Sequence, residues 1–261
     1  MAITRDFFLE LAAAAAAQTL PRFRAGCGID DKGIKGEVAA FDPVTEADRA
    51  AEVAIRSLIE ARFPDHGILG EEHGAMGLDR EHVWVIDPID GTRAFITGIP
   101  VWGTLVGLTE MGKSIAGMMA QPFTGELFYA LDGKSWRVSR EGEVANKVSG
   151  IVDLSKATLF TTTPHLFKGD ARRRYDFIES QVKLFRYGCD CYAYCMLAAG
   201  FVDLVIETAL QPYDIVALVP IIEAAGGIVT DFDGSRPEKG GNIIAAATPE
   251  LHAAAMAIMY G

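Results

Sequence analysis

The sequence predicts a layered α+β protein whose two halves differ in topology. In the first half, two helical segments precede apolar strand segments separated by glycine-containing turns, a pattern typical of an antiparallel meander. In the second half, strands alternate with helices, which favours an α/β arrangement. The chain has 261 residues, of which 50% are hydrophobic and 23% charged, so it can bury a sizeable core.

Two helices are predicted near the start of the chain. An alanine-rich stretch from Phe7 to Ala17 ends near Pro21. It has the length of a signal-peptide core, but Asp6 and Glu10 lie beside or inside it, which favours an amphipathic helix. The second helix is predicted over residues 46–62, with apolar residues at helical spacing and Thr45 placed to cap it.

The remaining elements are assigned from apolar runs and from the glycines that end them. We expect a loop over 63–79 and strands over 83–86, 102–109, 115–121 and 127–131. A hinge near 146–153 divides the chain into residues 1–148, which carry the main metal site, and 149–261. The second half is predicted to contain strands 158–163, 183–187, 202–207, 228–230 and 243–246, helices 171–181, 191–199 and 215–225, and a last helix from Pro249.

Charge and cysteine content exclude several classes of protein. The net charge is −11, from 24 basic and 35 acidic residues, so non-specific nucleic-acid binding is not expected. No apolar run approaches a membrane span. The four cysteines, Cys27, Cys189, Cys191 and Cys195, lack zinc-site spacing. We expect free thiols without disulfides, a reducing compartment and therefore a cytoplasmic protein.

A short motif after the predicted strand 83–86 carries the chemistry. Asp87-Pro88-Ile89-Asp90-Gly91-Thr92 places two carboxylates across a sharp turn, where both can converge on one point. Oxygen-only ligands of this kind suit a hard cation such as Mg²⁺. The amides of Gly91 and Thr92 can face an anion where the next element begins. The motif therefore predicts a metal site facing an anion site.

Each acidic position also has an ordinary interpretation. Asp-Pro and Asp-Gly are common turn dipeptides, and the pair Glu71-Glu72 could be a solvated loop. Asp214 precedes an apolar helical segment and could be its N-cap. Asp48 could simply oppose a helix dipole. Their appearance together in one order along the chain favours the functional interpretation.

Four motifs in that order, Val44-Thr-Glu-Ala-Asp48, Gly70-Glu-Glu72, Asp87 to Thr92 and Pro212-Tyr-Asp-Ile-Val-Ala217, resemble the inositol monophosphatase family of Mg²⁺-dependent phosphatases. The resemblance runs over nearly the whole chain. It implies an αβαβα five-layer sandwich, a small phosphate-ester substrate, two to three Mg²⁺ ions per active site and a homodimer.

The resemblance also implies roles for single residues. The first metal would be bound by Glu71, Asp87 and the carbonyl of Ile89, the second by Asp87, Asp90 and Asp214, and a third, weaker metal by Glu71. A metal-bound water, oriented by Glu71 and by Thr92 paired with Asp48, would attack phosphorus in line with the ester oxygen. No phosphoenzyme is expected.

The second half is expected to choose the substrate. The run from Arg186 to Met196 contains Asp190 where inositol phosphatases usually have small residues, and with residues 93–98 and Tyr213 it looks like the histidinol-phosphate phosphatase branch. Histidinol carries a cationic amine, which Asp190 and Glu207 could bind. Alternatively, Asp190 is only a helix N-cap. The expected substrate-binding residues are Gly91, Thr92, Arg186, Asp190, Glu207 and Asp214.

Several neighbouring residues have uncertain roles in this comparison. Lys35 is displaced from the lysine position of many inositol phosphatases, and Glu37 lies nearer to it. His165 could face the substrate or simply lie at the surface. Tyr192 and Tyr194 could flank an imidazole or pack in the core.

The sequence thus predicts a cytoplasmic, homodimeric Mg²⁺-dependent phosphomonoesterase that converts L-histidinol phosphate to L-histidinol and phosphate in histidine synthesis. One alternative is an inositol-1-phosphatase of broad specificity. Another, from a different class, is a catalytically silent regulatory or binding protein with the same fold. The full set of acidic motif residues favours an enzyme.

Overall fold

A computed structural model describes residues 3–25, 29–31 and 43–261 of the chain. The helices of these ranges are α1 (Arg5–Thr19), α2 (Glu46–Arg62), α3 (Thr92–Ile96), α4 (Gly169–Gln181), α5 (Asp190–Ala198), α6 (Pro212–Ile215), α7 (Leu218–Glu223) and α8 (Pro249–Tyr260). Short 3₁₀ turns are present at Leu154–Lys156 and Pro164–Leu166.

The strands form a two-stranded, an eight-stranded and a five-stranded sheet. The first contains β1 (Ile29–Asp31) and β2 (Pro43–Thr45), and the second contains β3 (Gly67–Gly70), β4 (Gly74–Met76), β5 (His82–Asp90), β6 (Gly103–Glu110), β7 (Lys113–Gln121), β8 (Glu126–Leu131), β9 (Lys134–Ser139) and β10 (Gly142–Ala145). The third contains β11 (Thr158–Thr161), β12 (Leu184–Tyr187), β13 (Leu204–Leu210), β14 (Ile228–Asp231) and β15 (Gly241–Ala246).

Helices and the two large sheets stack in five layers, which confirms the αβαβα arrangement. Helices α1 and α2 cover one face of the eight-stranded sheet, where Phe7 of α1 and Ile55 of α2 are buried in one cluster with Trp84 of β5. Helices α5 and α7 fill the space between the two sheets. Helices α4 and α8 cover the outer face of the five-stranded sheet. Burial of apolar surface in these three core clusters is the main stabilising contribution to the fold.

The order of the eight-stranded sheet is β10-β9-β8-β7-β6-β5-β3-β4, and all neighbours pair antiparallel except β3 and β5. Because β3 and β5 are parallel, their C-terminal ends lie at the same edge of the sheet. In the five-stranded sheet, of order β12-β11-β13-β15-β14, the first three strands are parallel and the last two pairings antiparallel. The five-stranded sheet is therefore mixed.

The structure differs from the sequence prediction in three places. Strands β3 and β4 lie in the predicted loop 63–79, because each is too short and too glycine-rich for a recognisable pattern. Strands β9 and β10 were not predicted, and β10 is exposed throughout, so it lacks an apolar alternation. The single helix predicted over 215–225 is two helices, because Pro220 has no N–H to continue the ladder to Val216.

Two glycines let helix α7 approach the eight-stranded sheet. Gly107 and Gly117 are direct partners in the β6–β7 register. A Cβ atom at Gly107 would lie 2.7 Å from the backbone nitrogen of Ala217, and one at Gly117 would come closer still to its carbonyl oxygen. The backbone before α7 therefore packs directly on the sheet, which places the preceding α6 and its Asp214 above strand β5.

Some sequence predictions concern features that the structure tests only partly. The boundary between 148 and 149 falls between the two large sheets and stays a prediction. The described cysteines, Cys189, Cys191 and Cys195, are free thiols, whereas Cys27, Lys35 and Glu37 lie outside the described residues. In the described part of the chain, every helix is too short or too polar to cross a membrane.

Candidate active site

The parallel pairing of β3 and β5 brings Glu71 beside Asp87. Gly70 is the partner of Ile86 at the end of the pair, and the backbone N–H of Glu71 donates to the carbonyl of Ile86 at 3.2 Å. Residues that follow parallel strands leave the sheet at the same edge. The negative charge of Glu71 accordingly contributes to raising the pKa of Asp87.

The end of β5 bends so that both of its aspartates face one point. The β5–β6 register shifts between Asp87 and Asp90, a β-bulge that changes the direction of the strand. The N–H of Ile89 donates to Asp87 Oδ1 at 3.0 Å. Gly91 then adopts a left-handed conformation, with φ of 82°, before α3 begins, and glycine does this without strain.

Helix α6 supplies a third carboxylate. The N–H of Gln211 donates to Asp214 Oδ2 at 2.7 Å, and Asp214 is the third helical residue of a capping box. The alternative prediction that Asp214 is an N-cap is therefore wrong, because the N-cap is Gln211. One carboxylate oxygen from each of Asp87, Asp90 and Asp214 lies within 4.8 Å of the others. These three residues are called the acidic centre below.

Burial makes the acidic centre electrostatically costly without a cation. Asp87 is only 2% exposed, and its pKa is raised well above the usual value, first by burial and then by Glu71, Asp90 and Asp214. Burial also raises the pKa of Asp90, with Asp190 and Asp214 adding to the shift. Converging oxygens with this excess of negative charge could hold a hard divalent cation.

Asp48 links helix α2 to the residue that follows the acidic motif. Its Oδ2 accepts from the N–H of Thr45 at 2.8 Å in a capping box, and its Oδ1 lies 3.5 Å from the hydroxyl of Thr92. The Thr92 hydroxyl donates to the carbonyl of Ile89 at 3.0 Å. Burial raises the pKa of Asp48 to about 6, against the hydrogen bonds from Thr45. Asp48 therefore lies at the start of α2, as the helix-start interpretation predicts, and it also lies near the hydroxyl of Thr92.

Glu52 is a buried residue near this site that the sequence analysis missed. Its carboxylate accepts from the N–H of Glu72 at 2.7 Å, from the N–H of His73 at 3.2 Å and from Arg56 Nε at 2.7 Å. A Cβ atom at position 70 would overlap this carboxylate. Glu52 therefore fixes the turn that follows Glu71. The available signal was its position on the buried face of α2, four residues after Asp48.

A cavity of about 300 Å³ opens beside the acidic centre and draws its walls from both halves of the chain. The lining residues are Asp90, Gly91, Thr92, Arg93, Thr162, Leu166, Asp190, Cys191, Tyr194, Glu207, Thr208, Ala209, Leu210 and Asp214. Five of the six residues predicted to bind substrate are among them. Arg186 is exposed on β12 and is not one of these lining residues.

Asp190 points into this cavity from the start of α5. It has a φ of 44°, and the N-cap of the helix is Cys189. The first-turn amide of Cys191 donates to Asp90 at 2.6 Å. The carboxylate of Asp190 instead lies against Gly91 and 3.4 Å from the hydroxyl of Thr162. The alternative that Asp190 is only the N-cap is therefore wrong.

Glu207 lies on β13 at the same wall and is 4% exposed. It accepts from the N–H of Thr162 at 2.7 Å and from its hydroxyl at 2.9 Å. Burial raises its pKa to about 8, although both hydrogen bonds act in the opposite direction. His165 is exposed in the neighbouring 3₁₀ turn. Asp190 and Glu207 are called the selectivity pair below, after the role in substrate choice that the sequence analysis predicts for them.

The two tyrosines of α5 have different surroundings. The hydroxyl of Tyr192 donates to Glu126 Oε2 at 2.7 Å, and its ring meets Phe128 edge-on, so this side chain belongs to the packing against the eight-stranded sheet. Tyr194 is 2% exposed and lines the cavity. Only Tyr194 is therefore placed to meet a ligand.

A five-layer sandwich with converging carboxylates between its two large sheets defines a class of layered α+β proteins with an acidic centre that could bind metal. A model of the inositol monophosphatase family matches residues 4–260. The chain belongs to this family of phosphatases, which confirms the resemblance inferred from the sequence motifs.

Similar proteins include phosphatases that are named for different activities. The chain is 44% identical over 227 residues to the chloroplastic bifunctional phosphatase IMPL2 of Arabidopsis thaliana. The matched region covers 83% of this chain and 65% of that protein. The chain is 33% identical to a histidinol-phosphatase of Mycobacterium tuberculosis over 92% of both chains. An inositol monophosphatase structure from Zymomonas mobilis has a TM-score of 0.84 and 36% identity, covering 98% of this chain and 97% of that one.

Proposed function

We propose that this protein is a Mg²⁺-dependent phosphomonoesterase that hydrolyses L-histidinol phosphate to L-histidinol and phosphate, a step in histidine synthesis. The observation that carries the proposal is the selectivity pair, Asp190 and Glu207, buried in the cavity beside the acidic centre. A cationic leaving group would offset this charge, whereas a neutral polyol would not. The identity to a histidinol-phosphatase supports the same choice.

The metal site is proposed to include the acidic centre, with Glu71 and the carbonyl of Ile89 as further ligands. The close approach of the three carboxylate oxygens fits a hard cation. Two to three Mg²⁺ ions are expected. Bound Mg²⁺ would lower the pKa of water and act as a Lewis acid toward the phosphate oxygens. The anionic substrate is thereby attracted to a site that would otherwise repel it.

Thr92, Asp48 and Glu71 are proposed to orient the attacking water. The Thr92 hydroxyl lies between the carbonyl of Ile89 and the carboxylate of Asp48. With a pKa of about 6, Asp48 is mostly ionised near neutral pH, so it can accept the Thr92 proton and leave the hydroxyl oxygen free to accept from water. The amides of Gly91 and Thr92 are proposed to bind the phosphate.

The selectivity pair is proposed to bind the amino group of the leaving alcohol. Because the pKa of Glu207 is about 8, this carboxyl is mostly protonated near neutral pH. An ammonium group in the cavity would favour its ionised form and gain a charge-assisted hydrogen bond. The pair would then discriminate between a cationic and a neutral alcohol.

The deciding experiment compares phosphate release from L-histidinol phosphate and from inositol 1-phosphate under saturating Mg²⁺. We expect kcat/KM to favour histidinol phosphate by at least about 100-fold, the discrimination that loss of a buried charged contact gives. A preference for the inositol ester would support the broad inositol-1-phosphatase instead, which the similarity to the Zymomonas mobilis structure favours. Absence of Mg²⁺-dependent hydrolysis of either ester would favour the regulatory protein.

Further parts of this proposal concern the assembly and the periphery of the site. We propose a cytoplasmic homodimer, which light scattering coupled to size exclusion would test, with residues 1–148 and 149–261 as its two structural halves. Arg186 is exposed on β12 and lies outside the set of residues that line the cavity. Arg186→Ala would leave KM unchanged if the residue does not touch substrate.

A further inference from the structure

The side chain of Tyr194 lines the cavity and has a buried, unsatisfied hydroxyl. The residue is 2% exposed, and its buried hydroxyl oxygen has no hydrogen-bond partner within the described part of the chain. Removing a hydroxyl from water without providing a partner is destabilising. Phenylalanine would fill the same volume without this cost. The hydroxyl is therefore a candidate ligand contact.

The surroundings of the hydroxyl indicate which group it would meet. Glu207, Asp90 and Asp214 all act on Tyr194 electrostatically, and each disfavours its ionised form. Burial is the largest cause of the raised pKa of Tyr194, so the phenol is neutral, and the carboxylates that add to the shift belong to the acidic centre and to β13. A neutral phenol in a field of carboxylates accepts hydrogen bonds from a cation more readily than it binds an anion.

The chemistry of the substrate offers one cation at the right position. In histidinol phosphate, the amino group is attached to the carbon next to the ester CH₂, whereas the imidazole is one carbon further away. The ammonium therefore follows the phosphate into the space between the metal site and the β13 wall. This step rests on the proposed function.

We propose that Tyr194 is a specificity-determining residue whose hydroxyl oxygen accepts a hydrogen bond from the protonated amino group of the leaving alcohol. Glu207 binds the same group from β13. The hydroxyl left unsatisfied in the ligand-free protein is then satisfied in the complex.

The first test is the kinetics of Tyr194→Phe, which removes one oxygen and keeps the ring. KM for histidinol phosphate should rise about tenfold, the effect of one lost hydrogen bond to a charged group, while kcat stays within about twofold. The matched ester 3-(imidazol-4-yl)propyl phosphate, which lacks the amino group, should show no change in KM. An equal rise of KM on both esters, or no rise on either, would overturn the proposal.

The second test measures binding and stability without turnover. Calorimetric affinity for L-histidinol should fall about tenfold in Tyr194→Phe. Without ligand, the variant should melt at the same temperature as the wild type or higher, because the unsatisfied hydroxyl is gone. A lower melting temperature with unchanged histidinol affinity would show that the residue serves only packing and would overturn the proposal.

Tyr175→Phe is the matched control. Tyr175 is also fully buried, and Glu179 acts on its hydroxyl. It stacks on Phe167 in the outer layer of the five-stranded sheet, away from the cavity. Its kinetics and histidinol affinity should equal those of the wild type.

The two proposals fail in different ways. If the wild type prefers inositol 1-phosphate yet binds L-histidinol, the proposed function fails and the Tyr194→Phe affinity still decides this inference. If the wild type hydrolyses histidinol phosphate and the variant leaves KM unchanged, only the Tyr194 inference fails. A wild type that neither hydrolyses histidinol phosphate nor binds L-histidinol overturns both.

Discussion

Two groups of carboxylates face the same cavity, yet their surroundings differ. The acidic centre of Asp87, Asp90 and Asp214 has other carboxylates as its main electrostatic neighbours. The selectivity pair of Asp190 and Glu207 lies beside the donor Thr162, and the charge of Arg93 lowers the pKa of Asp190 against the effect of burial. The protein thus places a basic side chain near Asp190, whereas Asp87 and Asp90 have backbone N–H donors and other carboxylates as their described neighbours.

This difference indicates what each group requires from a ligand. Converging carboxylates that repel one another need a multivalent cation, because protonation of one only reduces the repulsion. A hydrogen-bonded pair with a raised pKa can remain partly protonated until a monovalent cation arrives. One cavity can therefore hold Mg²⁺ on one side and an ammonium group on the other.

Removing one charge from the acidic centre should have the largest effect. Asp87→Asn replaces a carboxylate that faces Glu71, Asp90 and Asp214 by an amide, which is a poorer ligand for a hard cation. We expect kcat/KM to fall by at least about 10³-fold, as expected when metal catalysis is lost. Phosphate release measures turnover, and electron paramagnetic resonance of free Mn²⁺ measures binding directly.

The control for this variant is Asp79→Asn, which changes an exposed aspartate outside the cavity. It should retain the wild-type rate and Mn²⁺ affinity. If Asp87→Asn bound Mn²⁺ as tightly as the wild type, the distinction between the acidic centre and the selectivity pair would be lost.

The selectivity pair should instead control the pH dependence of stability. The pKa of Glu207 is about 8 in the folded protein and near 4.5 when unperturbed. Between these values the folded state binds more protons, so stability should fall as pH rises from about 5 to 8. Glu207→Gln should reduce this fall by roughly 2–4 kcal/mol.

Urea unfolding in EDTA at about pH 5 and about pH 8 would measure the free energy of unfolding of the wild type and of Glu207→Gln. The exposed Glu81 provides the matched control, and Glu81→Gln should leave the pH dependence unchanged. An identical pH dependence in Glu207→Gln and the wild type would show that the buried carboxyl does not titrate in this interval.

The two groups also differ in how far the sequence predicts them. Asp87 and Asp90 belong to one short motif, so their convergence follows from local turn chemistry. Asp214 was added by resemblance, because nothing local shows that the glycine pair Gly107 and Gly117 lets its helix pack on the sheet. Glu52 binds the turn that follows β3, and the sequence analysis predicts this segment to be part of a loop.

Less of the selectivity pair can be derived from local patterns. Asp190 and Glu207 meet only because α5 and β13 lie on one wall, and the φ of 44° at Asp190 has no sequence signal. The unsatisfied hydroxyl of Tyr194 likewise results from tertiary packing, which places no hydrogen-bond partner beside it among the described residues. Whether a buried polar group has a hydrogen-bond partner or a neutralising charge depends on tertiary packing, which the sequence pattern does not reveal.

Neutralising Asp190 would sharpen the comparison at the level of substrate choice. Asn tolerates positive φ, so Asp190→Asn should keep the backbone while removing the charge. We expect KM for histidinol phosphate to rise about 10- to 30-fold, the loss of a charge-assisted contact. KM for inositol 1-phosphate should change less than about twofold. Equal changes on both esters would remove Asp190 from the selectivity pair.

The smallest effect is expected from a substitution of Glu52, which contacts the turn after Glu71 and is not one of the residues that line the cavity. In Glu52→Gln, one oxygen is replaced by an amide nitrogen, which cannot accept from the N–H of Glu72, the N–H of His73 or Arg56. The turn after Glu71 should loosen, and the Mg²⁺ concentration for half-maximal rate should rise about fivefold, equivalent to one weakened hydrogen bond. Mn²⁺ binding should weaken in parallel, whereas affinity for L-histidinol should not change.

Glu60→Gln, an exposed substitution on the same helix, controls for the change in net charge. A Glu52→Gln protein with a lower melting temperature but the wild-type dependence on Mg²⁺ would assign Glu52 to stability alone. A parallel loss of L-histidinol affinity would instead mean that the two sides of the cavity are coupled through the β3 turn. Weaker metal binding with unchanged histidinol binding is the result that separates them, because Glu52 contacts the turn after Glu71 and is not among the residues that line the cavity wall.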